Sequence, residues 1–439
     1  MGRAGSVALA ASLLLITATS PTVGAGRRAA PAPQAAESTA IVPFEIHVPD
    51  AVLADLQDRL AKVRYPAEID ESGWRYGANL AYMKELVAYW RERYDWRAQE
   101  RRLNRFEQFK TNIDGLDVHF IHQRSALPDA VPIIIVHGWP GSFAEFHKVI
   151  EPLTDPVRFG GRPEDAFHVI VPSLPGYGFS DQPREPGYDP PAMAAMFVKL
   201  MSRLGYTRYI AQGGDWGGPI TAAMAVIDPD RAMGLHSNQC SAGPPAGAAD
   251  PFEGVPAFEI TRMRERETFW TEQQRGYSII QGTRPQTLGF ALNDSPAGLA
   301  AWIIDKFRAW SDVDGDVESK FTKDELLTNV TVYWVTETPT SAARLYFELR
   351  NKVGWGYSPS GFPDRTRNAR IETPTGCLVS PKEIQYTPRK WLEARYNLKH
   401  FTLSPRGGHF AAMEEPELFV QDLRAFLRTI RSAPPSAAR

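Results

Sequence analysis

A chain of 439 residues with eleven tryptophans can bury a large core, which excludes an intrinsically disordered polymer. Its formal net charge of −2 leaves no electrostatic footprint for nucleic acid or for attraction to an anionic membrane surface. The length suits one large α/β domain carrying an insertion, or two domains.

Residues 1–25 read as an export signal peptide. Arg3 lies in a short basic region, Val7 to Ala18 is apolar, and Val23-Gly24-Ala25 resembles a small-residue cleavage site. The apolar run is short for a membrane span, and an uncleaved leader acting as a membrane anchor is the alternative. Arg27-Arg28 follow the apolar run instead of preceding it, so they make no twin-arginine signal. Residues 26–40, rich in Ala and Pro, are expected to form a disordered linker.

Residues 41–111 are predicted to form an N-terminal helical arm. Val52, Leu53, Leu56 and Leu60 recur at helix spacing after Pro49-Asp50, and Leu80, Met83, Leu86, Val87 and Trp90 form a second stripe. An α/β pattern follows over 112–238. Ile113 to Phe120 alternates around Gly115 as a hairpin would, and the continuous runs Val131–Val136 and His168–Val171 suit strands buried on both faces. Met193–Leu204 is helical, Tyr209–Gln212 and Met233–Ser237 are strands, and this alternation implies a mostly parallel sheet.

Over 239–370 the strand pattern stops. Helical segments are expected at Ala257–Arg275, Gly298–Trp310, Lys323–Thr336 and Ser341–Leu349, an insertion that reads as a cap over the strand ends. The sheet resumes in 371–439 with Thr375–Val379 and Phe401–Leu403, and an amphipathic helix runs from Glu417 to about Ile430. Cys240 and Cys377, far apart in sequence, are read as buried free thiols. Asn329-Val330-Thr331 is a sequon, relevant only in a host that glycosylates exported proteins.

The chemistry concentrates in three loops. Tyr209 to Gly218 reads as a strand turning sharply into a helix through Gly213-Gly214-Asp215-Trp216-Gly217, the shape of a nucleophile elbow with Asp215 where serine is usual. A carboxylate there can form a covalent ester with an electrophilic carbon; the plainer reading is an N-capping Asp in a glycine-rich turn. His137-Gly138-Trp139-Pro140-Gly141-Ser142 follows the first buried strand and nominates the Trp139 and Trp216 amides as an oxyanion hole, with His137 bracing the loop. Arg406-Gly407-Gly408-His409-Phe410 follows the last strand and offers His409 as general base. The order nucleophile, acid, base then selects Glu383, after the penultimate strand, with Glu372 and Asp364 nearby.

Together with Pro175-Gly176-Tyr177-Gly178-Phe179-Ser180, Tyr94-Asp95-Trp96-Arg97, Leu103-Asn104 and Ala291-Leu292-Asn293-Asp294-Ser295-Pro296, these motifs make the chain resemble the microsomal-type epoxide hydrolases, which include the insect juvenile-hormone epoxide hydrolases, from about Phe44 to the C-terminus. The resemblance implies an α/β-hydrolase fold with a helical cap, Asp215 as nucleophile, His409 as base and Glu383 as orienting acid. It also implies two cap tyrosines gripping the epoxide oxygen: Tyr277 as oxygen donor and Tyr346 as proton donor, although Tyr333 and others among the fifteen tyrosines stay open. The expected reaction is hydrolysis of a small hydrophobic epoxide by water to a vicinal diol, without cofactor or metal and without a nucleic-acid partner. A dehalogenase with the same Asp nucleophile, or a non-catalytic hydrophobic-ligand-binding α/β-hydrolase, are the alternatives. The exported N-terminus replaces a long membrane anchor and bears on membrane association, not on chemistry. The tryptophans Trp270, Trp302, Trp310 and Trp334 hint at an apolar pocket.

Overall fold

The computed structural model describes residues 38–353 and 370–432. The expected signal peptide, most of the linker, and Asp364 at the end of the expected cap lie outside the described residues.

Alternating apolar runs build a nine-stranded sheet. Its strands are β1 (Ile41–Pro43), β2 (Gln108–Ile113), β3 (Leu116–Gln123), β4 (Val131–Val136), β5 (Phe167–Pro172), β6 (Tyr209–Gly213), β7 (Ala232–Ser237), β8 (Ile371–Val379) and β9 (Tyr396–Leu403). They lie in the order β1-β2-β3-β5-β4-β6-β7-β8-β9. Pairing is antiparallel from β1 to β3 and between β3 and β5, then parallel from β5 across to β9. Successive side chains on a strand point to opposite faces. Ile134 and Val136 therefore join one buried cluster, with Phe197 and Met224 of the helices Pro190–Arg203 and Gly217–Ile227. Ile133 and Ile135 join the other, with Phe419, Leu423 and Phe426 of the C-terminal helix Pro416–Ser432. Burial on both faces explains why these strands read as unbroken β-branched runs.

The N-terminal segment holds three helices, Asp50–Ala61, Leu80–Glu92 and Trp96–Leu103. It differs from an all-helical arm at both ends. Ile41–Pro43 pairs antiparallel with β2 as an edge strand, and β2 itself begins at Gln108. The strand is too short to show an alternation in sequence. Tyr89 Oη donates to Asp324 Oδ1 at 2.9 Å, which ties this segment to a helix inserted between β7 and β8.

That insertion carries Ala257–Thr268, a wider π turn over Phe269–Gln274, and the helices Gly276–Thr283, Pro285–Leu292, Pro296–Trp310, Lys323–Val335 and Pro339–Val353. The helices at 276–283 and 285–292 have no counterpart among the predicted segments. Each is short, and Pro285 starts the second immediately after the first ends, so neither presents a long apolar stripe.

The cysteines correct the sequence reading. Cys240 and Cys377 form a disulfide, with Cα atoms 5.9 Å apart across a sequence separation of 137. Sheet register is the cause: β7 and β8 pair in parallel with Ser237 opposite Cys377, and Cys240 follows β7 directly. The sequon asparagine is buried, and its Nδ2 donates to the Pro140 carbonyl at 2.7 Å, so in the folded chain it presents no acceptor for a glycan.

Candidate active site

Four loops at the C-terminal ends of parallel strands converge, where ligands bind in open α/β sheets. Asp215 follows β6, the loop from His137 follows β4, Glu383 follows β8 and His409 follows β9. Asp215 has φ 48°, a left-handed conformation that a non-glycine residue rarely adopts. Its turn closes tightly because Gly217 has no side chain: a Cβ there would lie 1.9 Å from the Val136 carbonyl oxygen. The elbow helix thereby packs straight onto the end of β4.

The carboxylate is held from two sides. The Trp139 amide donates to Asp215 Oδ1 at 2.8 Å, and His409 Nε2 lies 3.4 Å from Oδ2. A Cβ on Gly138 would stand 2.3 Å from Oδ1, so that glycine makes room for the carboxylate. Trp216 occupies the N-cap of the elbow helix, next to Asp215. Behind the imidazole, His409 Nδ1 donates to Glu383 Oε1 at 2.7 Å, and the same oxygen accepts from the Ile384 amide at 2.7 Å. Of the other two acids considered, Glu372 is exposed at the start of β8.

Burial disfavours a charged imidazole, but the Glu383 charge and the hydrogen bonds to Asp215 and Glu383 outweigh it and hold His409 well above its usual range. The His409 loop lies against the helix Pro296–Trp310, with the His409 amide donating to the Trp310 carbonyl at 2.9 Å. Gly408 permits that approach, since a Cβ there would be 2.4 Å from the same carbonyl oxygen. Its lack of a side chain thus serves the fit against Trp310. His137 takes the bracing position: its Nδ1 donates to the Gly138 carbonyl at 3.0 Å and its Nε2 accepts from the Leu174 amide at 3.1 Å. Burial lowers its pKa to about 4, so it stays neutral and cannot compete with His409 for a proton at neutral pH.

Tyr277 and Tyr346 line one cavity with Asp215 and Trp216, and Tyr346 Oη donates to Tyr277 Oη at 3.4 Å. The rings are positioned by aromatic packing. Trp139 stacks on Tyr277 at 4.6 Å between centroids, and Trp216 meets Tyr346 edge-on at 4.7 Å. Burial, reinforced by Tyr277 and Asp215, pushes the Tyr346 phenol well above its usual range, which keeps it a donor. Tyr333 is elsewhere: its hydroxyl donates to the Gly141 carbonyl at 2.7 Å and braces the loop from His137. Of the four tryptophans singled out, Trp270 lines the tyrosine cavity, whereas Trp334 lies beneath the Arg59 guanidinium.

Sequence reasoning missed Gln239, whose Nε2 lies 3.4 Å from Glu383 Oε1 and which also lines the tyrosine cavity. It also missed Glu145, an acid set among the apolar residues of the 3-10 turn Phe143–Phe146. A carboxyl inside an otherwise apolar run was the available signal.

A carboxylate at the elbow, a His–Glu pair behind it and paired phenols on its open side lie on an α/β-hydrolase fold. Residues 131–253 match the alpha/beta hydrolase fold family, and residues 41–146 match the family described as epoxide hydrolase N terminus. Epoxide hydrolase 1 of Sus scrofa is 41% identical over 416 residues, covering 90% of this chain and 90% of that one. The crystal structure of juvenile hormone epoxide hydrolase from the silkworm Bombyx mori superposes with a TM-score of 0.82 at 36% identity, covering 90% of this chain and 96% of that one. The Aspergillus niger epoxide hydrolase superposes with a TM-score of 0.77 at 32% identity, covering 90% and 97%. The chain belongs to the epoxide hydrolase family.

Proposed function

We propose that this epoxide hydrolase converts a hydrophobic epoxide to a vicinal diol through an ester on Asp215, with His409, Glu383, Tyr277 and Tyr346 in the roles their positions suggest. The observation that carries this is the placement of Asp215 between two phenols on one side and a Glu-held imidazole on the other. The Trp139 amide already occupies Oδ1, which leaves Oδ2 as the attacking oxygen.

Tyr277 and Tyr346 donate to the ring oxygen, Oδ2 attacks a ring carbon, and the strained C–O bond breaks. The departing alkoxide takes the proton of Tyr346. Water then adds to the ester carbonyl while His409 Nε2 takes its proton, and the Trp139 and Trp216 amides hold the oxyanion. On collapse the diol oxygen leaves with the imidazolium proton. The acid proton of Asp215 returns to the phenolate, so the net reaction is addition of one water. Glu383 fixes the His409 tautomer and stabilises the imidazolium throughout.

Two variants test the assignment together. Asp215→Asn is expected to lose diol formation by at least about 10³-fold, provided mass spectrometry excludes deamidation back to Asp. His409→Gln is expected to gain the mass of one epoxide per chain and stall. Normal turnover by intact Asp215→Asn, or no adduct on His409→Gln, would rule the mechanism out. The apolar lining from Pro219, Trp270, Leu349 and Ile384 supports a hydrophobic substrate, and a diol-formation screen across terminal, aromatic and terpenoid epoxides identifies it.

The 239–370 segment serves as the cap in this reading, since it delivers both tyrosines. Residues 1–25 direct export, which the Cys240–Cys377 disulfide supports because such bonds persist in oxidising compartments. A mature N-terminus near residue 26 on protein recovered outside the cytoplasm tests cleavage; an intact leader on membrane-bound protein is the anchored alternative.

A further inference from the structure

Asp215 borders a second, smaller space on the side away from the tyrosines. This cavity of about 10 Å³, near the room one water needs, is lined by Trp139, Asp215, Asn238, His409 and Glu145. Glu145 reaches it because Gly141 has no side chain: a Cβ there would lie 2.3 Å from Glu145 Oε2. The loop from His137 thus carries two glycines that each clear a carboxyl group, Gly138 for Asp215 and Gly141 for Glu145. Glu145 also lines a further cavity of about 20 Å³, with Gln99, Arg102, His147, Glu325 and Asn329, between the N-terminal segment and the inserted helices. Among the described residues, Glu145 takes part in no hydrogen bond or ion pair through its carboxyl group.

We propose that Glu145 holds the hydrolytic water against His409 in the cavity behind Asp215, so that water and epoxide approach the nucleophile from opposite sides. This rests on the reading of Asp215 as the ester-forming nucleophile. Two chemical facts fit the role. A water in so small a space needs polar partners on more than one side, and the His409 ring and the Glu145 carboxyl are both there to supply them. Glu145 is partly buried and lines both cavities. Burial pushes its pKa up to about 8, with the Asp215 charge adding to the rise and His409 opposing it. At neutral pH the group is therefore mostly the uncharged acid, which both donates and accepts. Such a group orients water without removing its proton, and that step stays with His409. Glu145 is a positioning residue in this scheme.

The test separates the two half-reactions in the purified full chain. Ester formation is followed by intact-protein mass after rapid quench, and ester hydrolysis by its decay in a single turnover. Glu145→Leu is expected to form ester at the wild-type rate and to hydrolyse it more slowly, by up to about 10²-fold, the order expected for a misplaced reactant. Its kcat and KM then fall together and kcat/KM holds. Glu145→Gln, which keeps a donor and an acceptor, is expected to recover most of the hydrolysis rate. Gly141→Ala, which pushes the carboxyl out of the cavity without removing it, is expected to slow the same step and serves if the leucine variant does not fold. Unchanged hydrolysis in a folded Glu145→Leu or Gly141→Ala variant, equal slowing of both steps, or a Gln variant as slow as Leu would overturn the proposal. Absence of any ester on the wild-type chain would instead overturn the nucleophile assignment.

Discussion

His409 contacts two carboxylates, and in the proposed cycle only one of them keeps its charge. In the resting site both Asp215 and Glu383 hold the imidazole well above its usual pKa, against the effect of burial. A ring protonated in this way cannot take a proton from water. Ester formation in the proposed cycle changes that, because esterified Asp215 carries no charge, its share of the stabilisation disappears, and the ring releases its proton to solvent before it acts as base. His409 should therefore become a competent base only after the first half-reaction. The sign follows directly: hydrolysis of the preformed ester is expected to rise with pH and level off, with a midpoint below that of His409 in the free enzyme. Single-turnover decay across pH and NMR titration of the free-enzyme imidazole give the two values. Equal midpoints would count against this account. At this scale much was legible. Asp215 and His409 each sit in a short motif whose neighbours mark them as candidates. Glu145 was legible only as a carboxyl in an apolar run, because nothing local shows that its turn opens onto His409.

The elbow illustrates how an element constrains a residue. Strand β6 ends at Gly213, Asp215 takes a left-handed conformation, and the helix starts at Gly217 against the carbonyl of Val136. Neither strand nor helix can shift without moving Asp215 relative to the Trp139 amide. Gly217→Ala places a methyl group within 1.9 Å of that carbonyl oxygen, so backbone must move. We expect a loss of about 1–3 kcal/mol or more, as for overpacked cores, read as a lower urea midpoint at unchanged slope, together with reduced diol formation. An unaltered midpoint would show that the turn has slack. Element by element, the strands and long helices were predictable from period, since β-branched runs and stripes such as Leu80–Trp90 repeat over many residues. The edge strand β1 and the helices bearing Tyr277 and its successor were not, because each is too short to establish a period.

Across the whole molecule, the Cys240–Cys377 bond links the loop leaving β7 to β8, the strand that leads to Glu383. Gln239, beside Cys240, touches Glu383, so the crosslink lies next to the acid that accepts from His409. Closing so long a stretch of chain contributes at most about 4–5 kcal/mol in the chain-entropy account. Reductant is expected to lower the denaturation midpoint of the wild-type chain to that of Cys240→Ala/Cys377→Ala, and to leave the double variant unchanged. A wild-type midpoint insensitive to reductant, with free thiols confirmed, would remove the bond from the stability account.

The sequence by itself marked Asp215 and His409 as candidates, because the elbow and the glycine-flanked histidine are local patterns of a few adjacent residues, and through the family resemblance those motifs carry it implied the reaction class. It also determined the alternating architecture, through periodicities that burial enforces strand by strand. Tyr277 and Tyr346 were implied by the resemblance, and tertiary structure brings them into one cavity with Asp215; it alone decided that Tyr333 braces a loop instead, that the two cysteines join, and that Glu145 stands behind Asp215. Each of these depends on segments far apart in the chain meeting within a few ångströms, and that proximity is set by sheet register and by the packing of inserted helices.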